Sequence, residues 1–209
     1  MCCRYYMEMS PELRPYVEAA GHSQLGLTMI EKLGKPMIKK GEVCPTNMVP
    51  VIAPNKNGQK SVFPMVWGFN IKGLDQPVIN ARVETAGEKK SFKDSWASHR
   101  CVIPASWYYE WEHFVSDNGK IKTGDKYAIQ PSGSSVTYIA GLYKIEKYRD
   151  FTYPVFTILT RQSDESVKKI HDRMPFILPY SAIDEWIDPK TNALDMIKNS
   201  ITDMVMEKV

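Results

Sequence analysis

Arg100-Cys101-Val102-Ile103-Pro104-Ala105-Ser106-Trp107-Tyr108-Tyr109-Glu110-Trp111-Glu112 is dense in β-branched and aromatic side chains, and it opens the part of the chain that decides the fold. Residues 101–112, 126–130, 136–144 and 153–160 all carry this strand signature, with Gly- and Asp-containing turns separating several of them. An extended chain sends alternate side chains to opposite faces, so Glu110 projects away from Trp107, Tyr109 and Trp111. A carboxylate set among aromatics tends to hold its proton more tightly, which suits a general acid. An ordinary strand turning Glu110 to water fits the same pattern.

Upstream, residues 49–52 and 61–67 read as two strands joined by the turn Asn55-Lys56-Asn57-Gly58. Residues 78–85 read as extended and 88–98 as a lysine-rich helical excursion. Ser10-Pro11-Glu12 is a helix start running to about Gly21, and a loop at 32–41 leads into the strands. Ser163-Asp164-Glu165 starts a short helix to about Ile170, and Ser181-Ala182-Ile183-Asp184 is a capping-box pattern before another through Trp186. A last helix is expected at 193–200. Strands outnumber helices and follow one another as hairpins. The expected fold is therefore α+β, one domain over 1–209, with barrel-like, mostly antiparallel sheets and short peripheral helices.

The 209 residues, 43% hydrophobic and 24% charged, describe a globular chain rather than a disordered one. No apolar run approaches the roughly 18–20 residues of a membrane helix, and the start lacks a signal-peptide pattern, so a cytoplasmic location is expected. A net charge of +3 permits a local nucleic-acid patch without demanding one. The cysteines Cys2, Cys3, Cys44 and Cys101 form no Cys-x-x-Cys pair, and no histidine lies at zinc-finger spacing from two of them. No metal or cofactor is expected. Cys44 and Cys101 read as buried packing residues.

Alternation over Ile79-Asn80-Ala81-Arg82-Val83-Glu84 places Asn80, Arg82 and Glu84 on one face, either a solvated face or a functional one. In Ile170-His171-Asp172-Arg173-Met174-Pro175, His171 and Arg173 share a face if the segment is extended. The N-terminus offers distinct chemistry. Removal of Met1 would leave Cys2 with a free α-amine, of reference pKa about 7.7–8.0, beside a thiol near 8.5. Such a 1,2-aminothiol condenses with an aldehyde to an imine, and the thiol then closes a thiazolidine ring. Small apolar packing under a sheet is the alternative role for Cys2 and Cys3.

Met1-Cys2-Cys3-Arg4-Tyr5, Val66-Trp67-Gly68-Phe69, Asn80 to Thr85, Arg100 to Ala105, Tyr109-Glu110-Trp111 and Ile170 to Pro175 together resemble the SOS-response-associated peptidase (SRAP) family, in the family's order. The resemblance spans about residues 2–180 and implies an abasic-site processing protein. Its implied partner is single-stranded DNA containing abasic sites, with replication-fork proteins as candidate partners, a monomeric state, no membrane, and a place near the nucleoid. It implies Cys2 as the cross-linking nucleophile, Asn80 holding its amine, Glu110 shuttling protons, and His171 assisting sugar-ring opening and adduct reversal. Arg4, Arg82 and Arg173 would grip phosphates, and Trp67 would stack on a base or wedge the strand. Autoproteolytic removal of Met1 and a lyase side activity belong to the same implication. Cys3 stands where the family commonly has glycine, and Ser106-Trp107-Tyr108 where it commonly has an Asp-Gly-Phe-like stretch. A thiol peptidase using Cys2, Glu110 and His171, and a non-covalent single-strand-binding module, remain alternatives.

Overall fold

In the computed structural model, which describes residues 2–116 and 118–209, the chain begins with strand β1 (Arg4–Met7), helices α1 (Arg14–Gly21) and α2 (Gln24–Leu33), and strand β2 (Gly41–Val43). A hairpin follows, β3 (Met48–Pro54) and β4 (Lys60–Trp67), then the short strand β5 (Asn80–Arg82) and helix α3 (Lys93–Ser98). Strands β6 (Arg100–Ala105), β7 (Trp107–Val115), β8 (Ile121–Pro131), β9 (Thr137–Tyr148) and β10 (Phe151–Gln162) form the middle of the chain. Helix α4 (Glu165–Lys168), strands β11 (Arg173–Pro175) and β12 (Ile177–Leu178), helices α5 (Ile183–Ile187) and α6 (Ala193–Met196), and strand β13 (Met204–Lys208) follow.

The β3–β4 hairpin turns where expected. Asn55 Oδ1 accepts the backbone N–H groups of Asn57 at 2.8 Å and Gln59 at 3.0 Å, and Gly58 supplies the positive φ of 77°. Strand β3 also pairs with β6, β6 with β9, and β9 with β10, all antiparallel. Strand β10 then lies parallel to β4, Val155 opposite Val66 and Phe156 opposite Trp67, which closes the five strands into a barrel. Past Trp67 the chain leaves the barrel at Gly68, whose φ of 121° and closeness to Pro77 exclude a side chain. It returns as β5, parallel to β10 with Asn80 opposite Ile158. Period-2 alternation sorts the buried residues into two clusters. Val49, Val51, Cys101, Ile103, Phe156 and Ile158 pack in one with Cys2, Tyr5 and Trp67. Their neighbours Ile52, Val102, Val155 and Leu159 pack in the other with Phe176, Ile183 and Trp186.

A second, wholly antiparallel sheet has the order β13-β8-β7-β1-β2. Here the first strand of the chain is inserted between β2 and β7, with Arg4 opposite Tyr109 and Tyr5 opposite Tyr108. That insertion carries Cys2 and Cys3 toward Glu110 on β7. Tyr6 stacks on its cross-strand partner Trp107, rings 4.6 Å apart and 3° from parallel.

The α+β barrel architecture follows the sequence expectation; several local elements differ. Helix α2 was not expected, and it is capped by Ser23 Oγ, which accepts from Gly26 N at 3.0 Å, and ended by Gly34 with φ 63°. Gly26 is required there, because a Cβ would stand 2.3 Å from the Ala20 carbonyl oxygen. The 78–85 extended reading shortens to β5, since Ala86 N bonds Arg82 O at 2.9 Å and turns the chain before Glu84. The helical excursion is helical only in α3. The capping box at Ser181 does not form: a 3-10 turn over Tyr180–Ala182 precedes α5, without a side-chain cap. The last helix is cut to α6 plus a 3-10 turn, and β13 follows it along β8. Among the described residues no helix is long and apolar enough to cross a membrane.

Candidate active site

The N-terminal segment is held from both sides of the molecule. Continuing the β1–β7 register one residue back sets Cys3 against Glu110, while on the barrel side Asn80 Nδ2 donates to the Cys2 carbonyl oxygen at 2.8 Å. Cys2 is fully buried, and its Sγ lies 3.6 Å from the Arg4 carbonyl oxygen. Burial pushes the Cys2 thiol well above its ordinary value, and the negative field of Glu110 and the neighbouring Cys3 add to it. Cys3 is half-buried, its thiol pushed up by burial and then by Glu110. Asn80 Oδ1, also buried, has no hydrogen-bond partner among the described residues. Met1, whose removal the aminothiol chemistry requires, lies outside the described residues.

Glu110 is 2% exposed, the one acidic residue among the buried side chains described. Its Oε1 accepts the Trp111 N–H at 3.3 Å. His171 follows α4, and burial, the largest influence on it, leaves its pKa below the ordinary value despite the raising fields of Glu110 and Asp172. Its Nδ1 accepts the Arg173 N–H at 2.9 Å yet lies 2.8 Å from Asp172 Oδ1. One ring nitrogen cannot accept the amide proton and donate to the carboxylate together. The lowered pKa favours the neutral ring with its proton on Nε2, so the Arg173 bond is the consistent one and the Asp172 approach is an electrostatic contact at the exposed edge. Cys2, Asn80, Glu110 and His171, drawn from four separate segments, are thus one cluster.

An open pocket of about 420 Å³ lies over this cluster, lined by Cys3, Arg4, Glu110, Trp111, His113 and Thr123. Cys3, not Cys2, faces it. His113 was missed in the sequence because strict alternation puts it on the face opposite Glu110. A β-bulge between Trp111 and His113 inserts the extra residue that reverses the alternation. The His113 ring lies 4.9 Å from that of His171, and its backbone N–H bonds the Ile170 carbonyl at 3.1 Å.

The residues expected to grip DNA fall into different surroundings. Arg82 is exposed, forms no side-chain hydrogen bond or ion pair among the described residues, and borders a groove with Asn80, Lys89, Ser91 and Phe92. Arg4 is exposed but ion-paired with Glu42, which also holds Lys126 Nζ at 3.1 Å. Arg173 is 11% exposed, with bonds of 2.7 and 2.9 Å to Glu84 and 2.7 Å to the Thr160 carbonyl. Those bonds overcome the cost of burial and hold the Glu84 carboxyl below its ordinary value. Trp67 has no exposed surface, donates from Nε1 to the Ile79 carbonyl at 3.0 Å and lies 6.1 Å from the near-parallel Phe156 ring. A ring without an exposed face cannot stack on a base, so the expected stacking role is corrected to support of the wall beneath Tyr5. Cys44 is likewise not buried: its Sγ sits 3.4 Å from Arg4 Nη1, whereas Cys101 is fully buried as expected.

The profile of the SOS response associated peptidase (SRAP) family matches residues 1–209. The chain belongs to that family. Among its relatives, the abasic site processing protein YoaM of Bacillus subtilis is 39% identical over 136 residues, which cover 64% of this chain and 56% of YoaM. The abasic site processing protein YedK of Escherichia coli is 31% identical over 128 residues, covering 59% of this chain and 54% of YedK. The match thus spans a little over half the length of these two relatives. A solved structure from Bacteroides thetaiotaomicron superposes with a TM-score of 0.75 at 18% identity, covering 100% of the SRAP chain and 92% of its own, so the fold is shared.

Proposed function

We propose that this SRAP protein traps abasic sites in single-stranded DNA as a thiazolidine on Cys2, after Met1 has been removed. The observation that carries the reading is the fixed Cys2 backbone, held by Asn80 with a spare buried acceptor, beside the buried acid Glu110 and the neutral imidazole of His171. The names of YoaM and YedK supply the abasic lesion. The exposed Arg82, without a side-chain partner among the described residues, supplies a phosphate contact beside Asn80.

The chemistry balances within the cluster. The Cys2 α-amine adds to the aldehyde carbon of the ring-opened sugar and gives a carbinolamine. Glu110, carrying the proton that the Cys2 ammonium gave up on becoming an amine, delivers it to the hydroxyl, which leaves as water, and an iminium forms. The Cys2 sulfur then bonds the same carbon, the C=N electron pair returns to nitrogen, and the thiol proton passes to the Glu110 carboxylate. Cleavage of an amide by Cys2 would need a thiolate, and the thiol is pushed away from ionisation, which favours trapping over a peptidase reaction.

The test is a denaturing gel with an abasic oligonucleotide. Wild type is expected to give a covalent band, Cys2→Ala none, and Glu110→Gln a band formed about 10²-fold more slowly, within the range of general acid–base catalysis. An undiminished band from Cys2→Ala would overturn the assignment.

A further inference from the structure

On the face that bears Tyr109, the sheet of order β13-β8-β7-β1-β2 carries a charge cluster that the trapping chemistry leaves unused. Three strands supply it: Arg4 from β1, Glu42 from β2 and Lys126 from β8. One carboxylate joins the two cations, with Arg4 Nη1 on Oε1 and Lys126 Nζ on Oε2 at 3.1 Å. We infer that Arg4 and Lys126 form a subsite for one phosphodiester of the DNA strand, which Glu42 fills in the free protein and leaves on binding. The inference rests on the single-strand binding in the trapping reading. Arg4 lines the pocket over Cys3 and Glu110, so a strand whose lesion reaches Cys2 passes this cluster. Two cations that hold the two oxygens of one carboxylate are placed to hold the two unesterified oxygens of a phosphodiester.

The sheet fixes the place of each member. Tyr6 pairs with Glu42 across β1 and β2, Trp111 pairs with Lys126 across β7 and β8, and Arg4 stands opposite Tyr109 between them. Lys126 is two strands away from β1 and reaches the cluster by lying across the Tyr109 ring, its Nζ 3.7 Å from that centroid and 5.5 Å from that of Trp111. This cation–π contact does not depend on Glu42, so Lys126 stays in place when the carboxylate leaves. Glu42 is the removable member. It sits on the three-residue strand β2 at the sheet edge, and its side chain is 32% exposed, against 45% for Arg4 and 28% for Lys126. Ion pairs this exposed contribute little to stability, so exchanging the carboxylate for a phosphate costs little. The hydrogen bond from Arg4, with Lys126 beside it, holds the Glu42 carboxyl below its ordinary value, so Glu42 competes with the strand as an anion throughout the neutral range.

The test is equilibrium binding of a fluorescent oligothymidylate, which has no abasic site and stays non-covalent, read by anisotropy at several salt concentrations. Glu42→Gln keeps the shape and loses the competing charge. It is expected to bind about 2- to 30-fold more tightly than wild type at low salt, the range for releasing two exposed ion pairs. Lys126→Gln should bind more weakly and reduce the magnitude of the salt slope by about 0.7. In the double variant the gain from Glu42→Gln should shrink, because one of the two released cations is gone. Glu185→Gln makes the same charge change at an exposed position on α5, which packs with the other core cluster, and should leave the affinity unchanged. A Glu42→Gln no tighter than Glu185→Gln, or a Lys126→Gln with the wild-type slope, overturns the subsite and leaves trapping intact. Wild type that shows these shifts but forms no cross-link with an abasic strand overturns trapping alone. Wild type that binds no strand overturns both.

Discussion

Asn80→Ala isolates what the barrel contributes to the nucleophile. The change removes the 2.8 Å bond from Nδ2 to the Cys2 carbonyl and, in the trapping reading, a second bond from the α-amine to Oδ1. Each net hydrogen bond contributes about 0.5–1.5 kcal/mol, so two give about 1–3 kcal/mol. At 1.36 kcal/mol per tenfold, the cross-linking rate should fall about 5- to 150-fold. Folding stability should change by about 1 kcal/mol or less, because β5 keeps its backbone pairing with β10 and a buried acceptor without a partner disappears with the side chain. Asn80→Asp separates orientation from charge. Its carboxylate would hold the amine as ammonium, so the rate optimum should move to higher pH than in wild type. Single-turnover gels from pH 6 to 9 and urea unfolding read both quantities. A wild-type rate in Asn80→Ala refutes the positioning role. A stability loss above about 3 kcal/mol would make Asn80 a structural strut instead.

The arginines should divide according to their surroundings. Arg82→Ala should weaken binding to intact and abasic strands alike and reduce the magnitude of the salt slope by about 0.7, read from titrations at several salt concentrations. Arg173→Ala should cost about 1.5–3 kcal/mol in urea unfolding, as expected for charge-assisted bonds; a variant as stable as wild type would show the Glu84 pair to be idle. Alkaline pH should destabilise the fold. Burial raises the Cys2, Cys101, Tyr5 and Tyr108 values above those of the unfolded chain, so between the two the unfolded state binds fewer protons and stability falls as pH rises. The urea midpoint should hold from pH 7 to 8, decline above about pH 8.5 as unfolded thiols ionise and more steeply near pH 10, and decline less in Cys2→Ala. A flat profile to pH 10 would contradict the burial of these groups.

What the sequence made legible was local and periodic. Residues 101–112 and 153–160 announce strands because each is dense in β-branched and aromatic side chains, and Asn55 to Gly58 announces its turn because Asn and Gly meet that geometry cheaply. Helix α2 carried a readable signal, Ser23 as cap, Leu25, Met29, Ile30 and Leu33 at helical spacing, and Gly34 as stop, but Gly26 and Thr28 weaken its propensity. Strand β13 had no periodic signal: it forms because β8 offers it an edge. For the site, the family resemblance pointed to Cys2, Asn80, Glu110 and His171, while the partners of the arginines did not show. Glu42 is 38 residues from Arg4 and Glu84 is 89 from Arg173, and no local pattern encodes such pairs. Trp67 failed for a similar reason. A tryptophan reads alike whether it faces a base or Phe156, and only barrel closure by β10 decides.

In the trapping reading, the burial of Cys2 also sets the order of bond formation. A thiol held well above its ordinary pKa is almost wholly protonated at neutral pH and is a poor first nucleophile. The amine loses only one proton to become reactive, and its carbonyl neighbour is fixed by Asn80. Addition of nitrogen before sulfur follows. The buried thiol then meets an iminium carbon, a far stronger electrophile than the aldehyde, at a distance set by its own backbone, and the closure becomes intramolecular. Burial that would disable a thiol peptidase therefore costs an aminothiol trap little, because the second step asks the thiol only to give its proton to Glu110 as the C–S bond forms. In that reading the same burial would keep water from the bond afterwards, and adduct release would depend on protons delivered by Glu110 and His171 rather than on direct attack by solvent.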